Sequence, residues 1–157
     1  MLLLIGNMNM NILLILIESV KGLKITGNPI AQKRHRFARG FVYDPSSKDK
    51  KQVIYQVVEQ FREKPMEGPV YIDFTFICKR PKSDYRSGKF ANMLKHTSPE
   101  YMVKKPDIDN YIKFYMDCMN KICYLDDAQV YSLAARKRYV EEDEEPCVEI
   151  LLEEVGE

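Results

Sequence analysis

The sequence predicts an α+β fold, a small single domain in which a mixed β-sheet packs against two helices. Short apolar runs rich in β-branched and aromatic residues, two longer stretches with apolar residues at helical spacing, and their order β-α-β-α-β-β lead to that class. With 157 residues, 45% of them hydrophobic and 30% charged, the chain suffices for one domain with its own core.

Residues 1–21 form an apolar N-terminal extension ahead of a domain spanning 22–154. The stretch "MLLLIGNMNMNILLILIESV" lacks a basic leading region and a small-residue cleavage site, and its run "ILLILI" is far shorter than a bilayer span. It reads as an extra strand, or as residues ahead of an alternative start at Met8 or Met10. "GLKITGNPI" (22–30) alternates and ends in Gly-Asn-Pro, a strand entering a turn. A basic loop follows, with Lys33, Arg34, Arg36 and Arg39 around His35 and Phe37, and then "FVYDPSS", a short extended piece and a turn.

Ser47 or Asp49 is placed to cap a helix reaching about Lys64. Its Val53, Ile54, Val57, Val58 and Phe61 make one stripe, and Pro65, Gly68 and Pro69 end it. "VYIDFTFICK" reads as a central strand, with Val70, Ile72, Phe74, Phe76 and Cys78 on one face and Ile77 on the other. Residues 79–105 are a long polar segment with Lys79, Arg80, Lys82, Arg86, Lys89, Lys95, Lys104 and Lys105 against only Asp84 and Glu100. Tyr85, Phe90 and Tyr101 are interleaved; a segment of that length in a compact domain is usually functional. A second helix, about Asn110 to Ile122, turns Ile112, Tyr115 or Met116, Met119 and Ile122 or Cys123 to the core. Residues 128–140 and 147–154 are the last two strands, joined by an acidic turn.

The net charge of +1 conceals an uneven distribution. Of 23 acidic residues nine lie in 141–157, where there is no base, so residues 1–140 carry 24 bases against 14 acids. Such a surface attracts a polyanion or simply keeps the domain soluble. Cys78, Cys118, Cys123 and Cys147 form no Cys-x-x-Cys pair and no zinc spacing with histidine, so they read as reduced, buried thiols of a cytoplasmic protein.

The chemistry concentrates in "KPDIDNYIKFYMDCMNKICYLDDAQV" (105–130). If the helix begins after them, Asp107 and Asp109 lie at i and i+2 of an extended segment and point the same way. Asp109, Lys113 and Asp117 then recur at i, i+4 and i+8 on the face opposite the apolar stripe. Either pattern has an ordinary structural explanation, a helix cap worth about 1 kcal/mol or a salt-bridge ladder worth a few tenths per pair. Neither explains Asp126 and Asp127 after a helix C-terminus, where positive charge is preferred. If the chain brings Asp127 beside Asp107 and Asp109, a hard divalent cation relieves their repulsion. Mg²⁺, with Mn²⁺ able to substitute, suits an open carboxylate site that receives phosphate.

Taken together, "KPDIDNYIKFYMD" followed by "LDDAQV" resembles the signature of the RusA family of Holliday-junction resolvases, and "ITGNPIAQKRHRF" extends the likeness, so that it covers roughly residues 22–152. The resemblance implies Asp107, Asp109 and Asp127 as metal ligands, Lys113 as catalytic lysine, and Asn110, Asp117, Asp126 and Gln129 in support. It implies a homodimer acting on branched DNA, four-way junctions above all, in recombination and repair, in a bacterial or phage-infected cytoplasm and away from membranes. Lys33, Arg34, Arg36, Arg39, Lys79, Arg80, Lys82, Arg86, Lys89, Lys104 and Lys105 are the expected DNA-binding residues. The alternative from another class is a catalytically silent junction-binding accessory protein.

Overall fold

A computed structural model describes residues 20–38 and 40–156; the expected extension, except Val20 and Lys21, and Arg39 lie outside the described residues. The described residues form six strands and two α-helices: β1 Val20–Thr26, β2 Arg36–Ala38, β3 Phe41–Tyr43, α1 Ser47–Gln60, β4 Val70–Cys78, α2 Ile108–Met119, β5 Val130–Tyr139 and β6 Cys147–Glu154. The expected β-α-β-α-β-β order holds, with the ribbon β2–β3 inserted between β1 and α1. Its strand β3 coincides with the expected extended piece, whereas β2 lies within what reads as a basic loop, because a three-residue strand is too short to show a period.

The four-stranded sheet has the order β1-β6-β4-β5. β4 pairs parallel with β5 and antiparallel with β6, which separates the two strands that follow each other in sequence. A parallel pair needs a crossover, and residues 79–107 with α2 supply it. On β4 the alternation is as expected: Ile72, Phe74 and Phe76 are buried toward the helices, and Ile77 joins Val140 and Cys147 in a separate small cluster on the other face.

Aromatic contacts fasten α2 to the sheet. Phe76 lies 5.0 Å from Tyr111 and 5.7 Å from Tyr115, centroid to centroid, and Phe74 stacks on Phe76 at 5.4 Å. The buried stripe of α2 is Tyr111, Phe114, Tyr115, Cys118 and Met119, one residue rotated from the expected stripe, and Ile112 is only half-buried. Tyrosine heads the stripe because its hydroxyl finds a partner: Tyr115 accepts the Ile30 N–H at 3.2 Å. Full burial of Phe114 contributes about 2–3 kcal/mol.

α1 ends at Gln60, four residues short of the expected stop, and buries Val53 and Val57 while Val58 stays exposed. Gln60 accepts the Lys24 N–H at 2.8 Å and donates to the Lys24 carbonyl at 2.9 Å, so one side-chain amide imitates a neighbouring strand. Gln56 accepts the Thr26 N–H at 2.8 Å. These bonds cover the β1 edge at Lys24 and Thr26. All four cysteines are free and buried, and burial pushes the Cys118 and Cys123 thiols up to about 12. No described helix is long and apolar enough to cross a membrane.

Candidate functional site

Asp107 stands before α2 in extended conformation (φ −70°, ψ 148°) and its side chain makes no capping hydrogen bond. The helix thus starts after Asp107 and before Asp109, so the two do not form the extended i, i+2 pair expected of a later helix start; both carboxylates are exposed at an end whose dipole favours negative charge. Lys113 is exposed one turn further on. The expected ladder is absent: among the described residues Asp109 and Lys113 make no ion pair, and Asp117 pairs instead with Lys50 at 2.9 Å.

Two sequence-distant strips flank Asp107. Gln32 N–H donates to the Asn110 carbonyl at 2.9 Å, laying residues 28–34 along the first turns of α2. Between the strips runs an open cleft of about 730 Å³, lined on one side by Asn28 to Arg34 and on the other by Lys105, Pro106, Asp107 and Asn110. The basic N-terminal loop and the acidic helix mouth therefore share one cavity, lined by Lys33, Arg34 and Lys105 as well as by Asp107.

A lysine that the sequence reading passes over positions this mouth. Lys137 donates its ammonium to the carbonyl oxygens of Lys104 at 2.6 Å and Pro106 at 2.7 Å. It follows Leu133 and Ala135 on the inward face of β5, opposite Phe76. A lone lysine at a core-facing strand position was the available signal.

The other end of α2 is a second polar centre. Asp126 accepts the Ala128 N–H at 2.9 Å and Gln129 accepts the Asp126 N–H at 2.8 Å, a reciprocal cap on a short 3₁₀ turn. Gln129 also donates to the Met66 and Gly68 carbonyls at 3.0 and 2.9 Å. Both residues are accounted for structurally, and Lys121, 3.8 Å from Asp126, offsets the charge after the helix. Asp127 differs. Its Oδ1 is buried with no hydrogen-bond partner, as is Oδ1 of Asn120. Burial pushes the Asp127 carboxyl up, Asp117 and Asp126 add to the rise, and the Tyr124 hydroxyl and Lys121 oppose it.

The structure does not bring the three expected metal ligands together within the chain. α2 has 12 residues, about 18 Å at 1.5 Å per residue, with Asp107 and Asp109 at its start and Asp127 beyond its end. Among the described residues no three histidine, cysteine or acidic side chains form a metal-binding group. The donors themselves are suited to a hard cation: all are carboxylates, those of Asp107 and Asp109 are uncommitted, and Asp127 has an orphaned buried oxygen.

Of the expected DNA-binding residues, Lys33, Arg34, Arg36, Lys79, Lys82, Lys89, Lys104 and Lys105 are exposed, and Arg86 is half-buried beside His96. Arg80 is a correction. Its side chain is buried, donating to the Val140 and Pro99 carbonyls, each at 2.6 Å, and lying over Tyr139. It has no face left for phosphate, because it ties the 79–105 segment to the end of the sheet.

A family model described as endodeoxyribonuclease RusA matches residues 26–153. The chain is also 37% identical over 143 residues to "Uncharacterized protein YqaN" of Bacillus subtilis (strain 168), covering 84% of this chain and 94% of that protein.

Proposed function

The chain belongs to the RusA endodeoxyribonuclease family, and from that premise we propose that it is a Mg²⁺-dependent, structure-selective endonuclease that binds four-way junctions as a homodimer and resolves them by paired nicks. The observation that carries this reading is the cleft whose two walls bring Lys33 and Arg34 to the same cavity as Lys105 and Asp107. Recombination and repair in the cytoplasm are the setting that such a substrate implies.

Asp107, Asp109 and Asp127 would hold the cation. Because Asp127 lies about a helix length from the other two, a set of three requires Asp127 from a second copy. A two-fold dimer supplies two such sets, matching the two opposed strands of a four-way junction. When bound, Mg²⁺, or Mn²⁺ in its place, supplies Lewis acidity and charge neutralisation for phosphodiester hydrolysis. Lys113, exposed and unpaired among the described residues, meets charge developing on the phosphoryl oxygens. Lys33, Arg34, Lys104 and Lys105 hold the backbone on either side through phosphate contacts, and Asn110 orients the wall that carries them.

The test uses a labelled four-way junction and linear duplex of the same sequence, with Mg²⁺ or EDTA. Paired nicks that need both the junction and the metal are expected. Asp109→Asn and Asp127→Asn should each be inactive while still binding, and mixing the two should restore cutting, because one site of each mixed dimer is then intact. Tight binding without nicks under any divalent ion would move the protein to the accessory class. A mixture as dead as its parts would place the cation within one chain.

A further inference from the structure

We propose that the ribbon β2–β3 is a wedge that takes unstacked nucleobases at the branch point of DNA. This rests on the endonuclease reading for its substrate, and on the ribbon's own features for its role. Phe37 and Phe41 are 74% and 76% exposed, and Val42 and Tyr43 are 69% and 46% exposed. Phe37 pairs with Val42 and Arg36 with Tyr43, so apolar groups occupy both faces of a ribbon that belongs to no larger sheet. An isolated two-stranded ribbon is marginally stable in water, and aromatic residues so displayed mark an interaction surface.

Charge selects the occupant. Arg34 and Arg36 are exposed and make no ion pair among the described residues, and the acid at the ribbon's base, Asp44, is already bonded to Lys50 at 2.9 Å. A second copy docking ribbon to ribbon would bring like charges together. A nucleic acid meets both needs: its phosphates pair with the arginines, and its bases present flat apolar faces to the phenylalanines. Apolar side chains inserted between base steps are a general means of holding DNA kinked, and a branch point offers bases whose stacking is already broken. The ribbon is continuous with the cleft, since Lys33 and Arg34 lead from the wall facing Asp107 into β2.

The experiment uses the full chain and a four-way junction with 2-aminopurine at the branch point, beside a linear duplex carrying the same probe. The parent protein should raise the probe's emission on the junction only. Phe37→Ala and Phe41→Ala should each abolish the rise and weaken junction binding about tenfold, with duplex affinity and melting temperature unchanged, and Phe41→Trp should restore both. Alanine variants that keep the rise and the affinity overturn the wedge. So does a variant that sediments as a monomer where the parent is a dimer and regains full junction affinity once concentrated, since the ribbon is then a contact between copies. Nicking by a parent that produces no rise overturns the wedge and leaves the nuclease standing. A rise that depends on the phenylalanines in a parent that never nicks supports the wedge while the nuclease reading falls.

Discussion

The ammonium of Lys137 lies 2.7 Å from the carbonyl oxygen of Pro106, the residue immediately before Asp107. The edge strand β5 thereby holds the mouth of the carboxylate-bearing helix, and the same ammonium fixes Lys104. Lys137→Met should lower the nicking rate on junctions at least tenfold, since small misplacements of reacting groups are costly, and lower stability by about 1–2 kcal/mol. Single-turnover cutting and urea unfolding check the two effects; an unchanged cutting rate would remove Lys137 from the site's support.

Arg80 and Lys82 are neighbours with opposite expected behaviour. Lys82→Ala removes an exposed charge, so the slope of log affinity against log salt should fall by about one. Arg80→Ala removes two hydrogen bonds to backbone carbonyls. It should leave that slope unchanged while making residues 82–98 more sensitive to protease. Equal salt slopes for the two variants would return Arg80 to the DNA-binding set.

Lys50 bridges Asp44 and Asp117, each at 2.9 Å. Burial pulls its ammonium down, but the bonds to the two carboxylates outweigh this and hold it above its ordinary value. Lys50→Met leaves the half-buried Asp44 and the exposed Asp117 without their cation and should cost about 1–2 kcal/mol, read as a drop in the urea midpoint at constant slope. Lys50→Arg should recover part of the loss, and a methionine variant as stable as the parent would refute the bridge's role.

Acid should unfold the domain in a predictable window. The hydrogen bond from Lys50 holds Asp44 well below the usual carboxylate range, and the Arg138 guanidinium holds Glu144 down. Both folded values are depressed, so the stability they add is fully present above the unfolded values near pH 4 and is lost as the pH falls through the folded ones. Asp127, pushed up, works in the opposite sense: its contribution is greatest at low pH and is lost as the pH rises through its folded value. With two groups against one, melting temperature should fall below about pH 4. An Asp44→Asn, Glu144→Gln double variant should flatten that fall, and an equally steep curve would disprove the assignment.

Much of the fold was legible because long elements repeat their signal. Nine residues of β4 alternate apolar and polar closely enough to name the buried face, and α2 shows Asp109, Lys113 and Asp117 on the exposed side as their spacing requires. The buried stripe of α2 came out one position rotated, because tyrosines at 111 and 115 carry a polar tip that makes them ambiguous as core residues. Of the ribbon, the extended piece at β3 was legible, whereas β2, three residues inside a basic stretch, was too short to read. Arg80 and Lys137 were misjudged or overlooked for a common reason: a basic side chain looks alike in sequence whether it faces phosphate or a backbone carbonyl.

By itself the sequence determined the α+β class and the residues of the family motif, since these depend on local period and on residue type at fixed spacing. Only the tertiary structure decided which of them meet. It placed the Lys33–Arg34 strip against Asp107 through the Gln32–Asn110 backbone bond and set Asp127 at the far end of α2. Both are consequences of chain path: a rigid helix keeps its two ends about 18 Å apart however close they lie in sequence, and a crossover brings together segments about eighty residues apart.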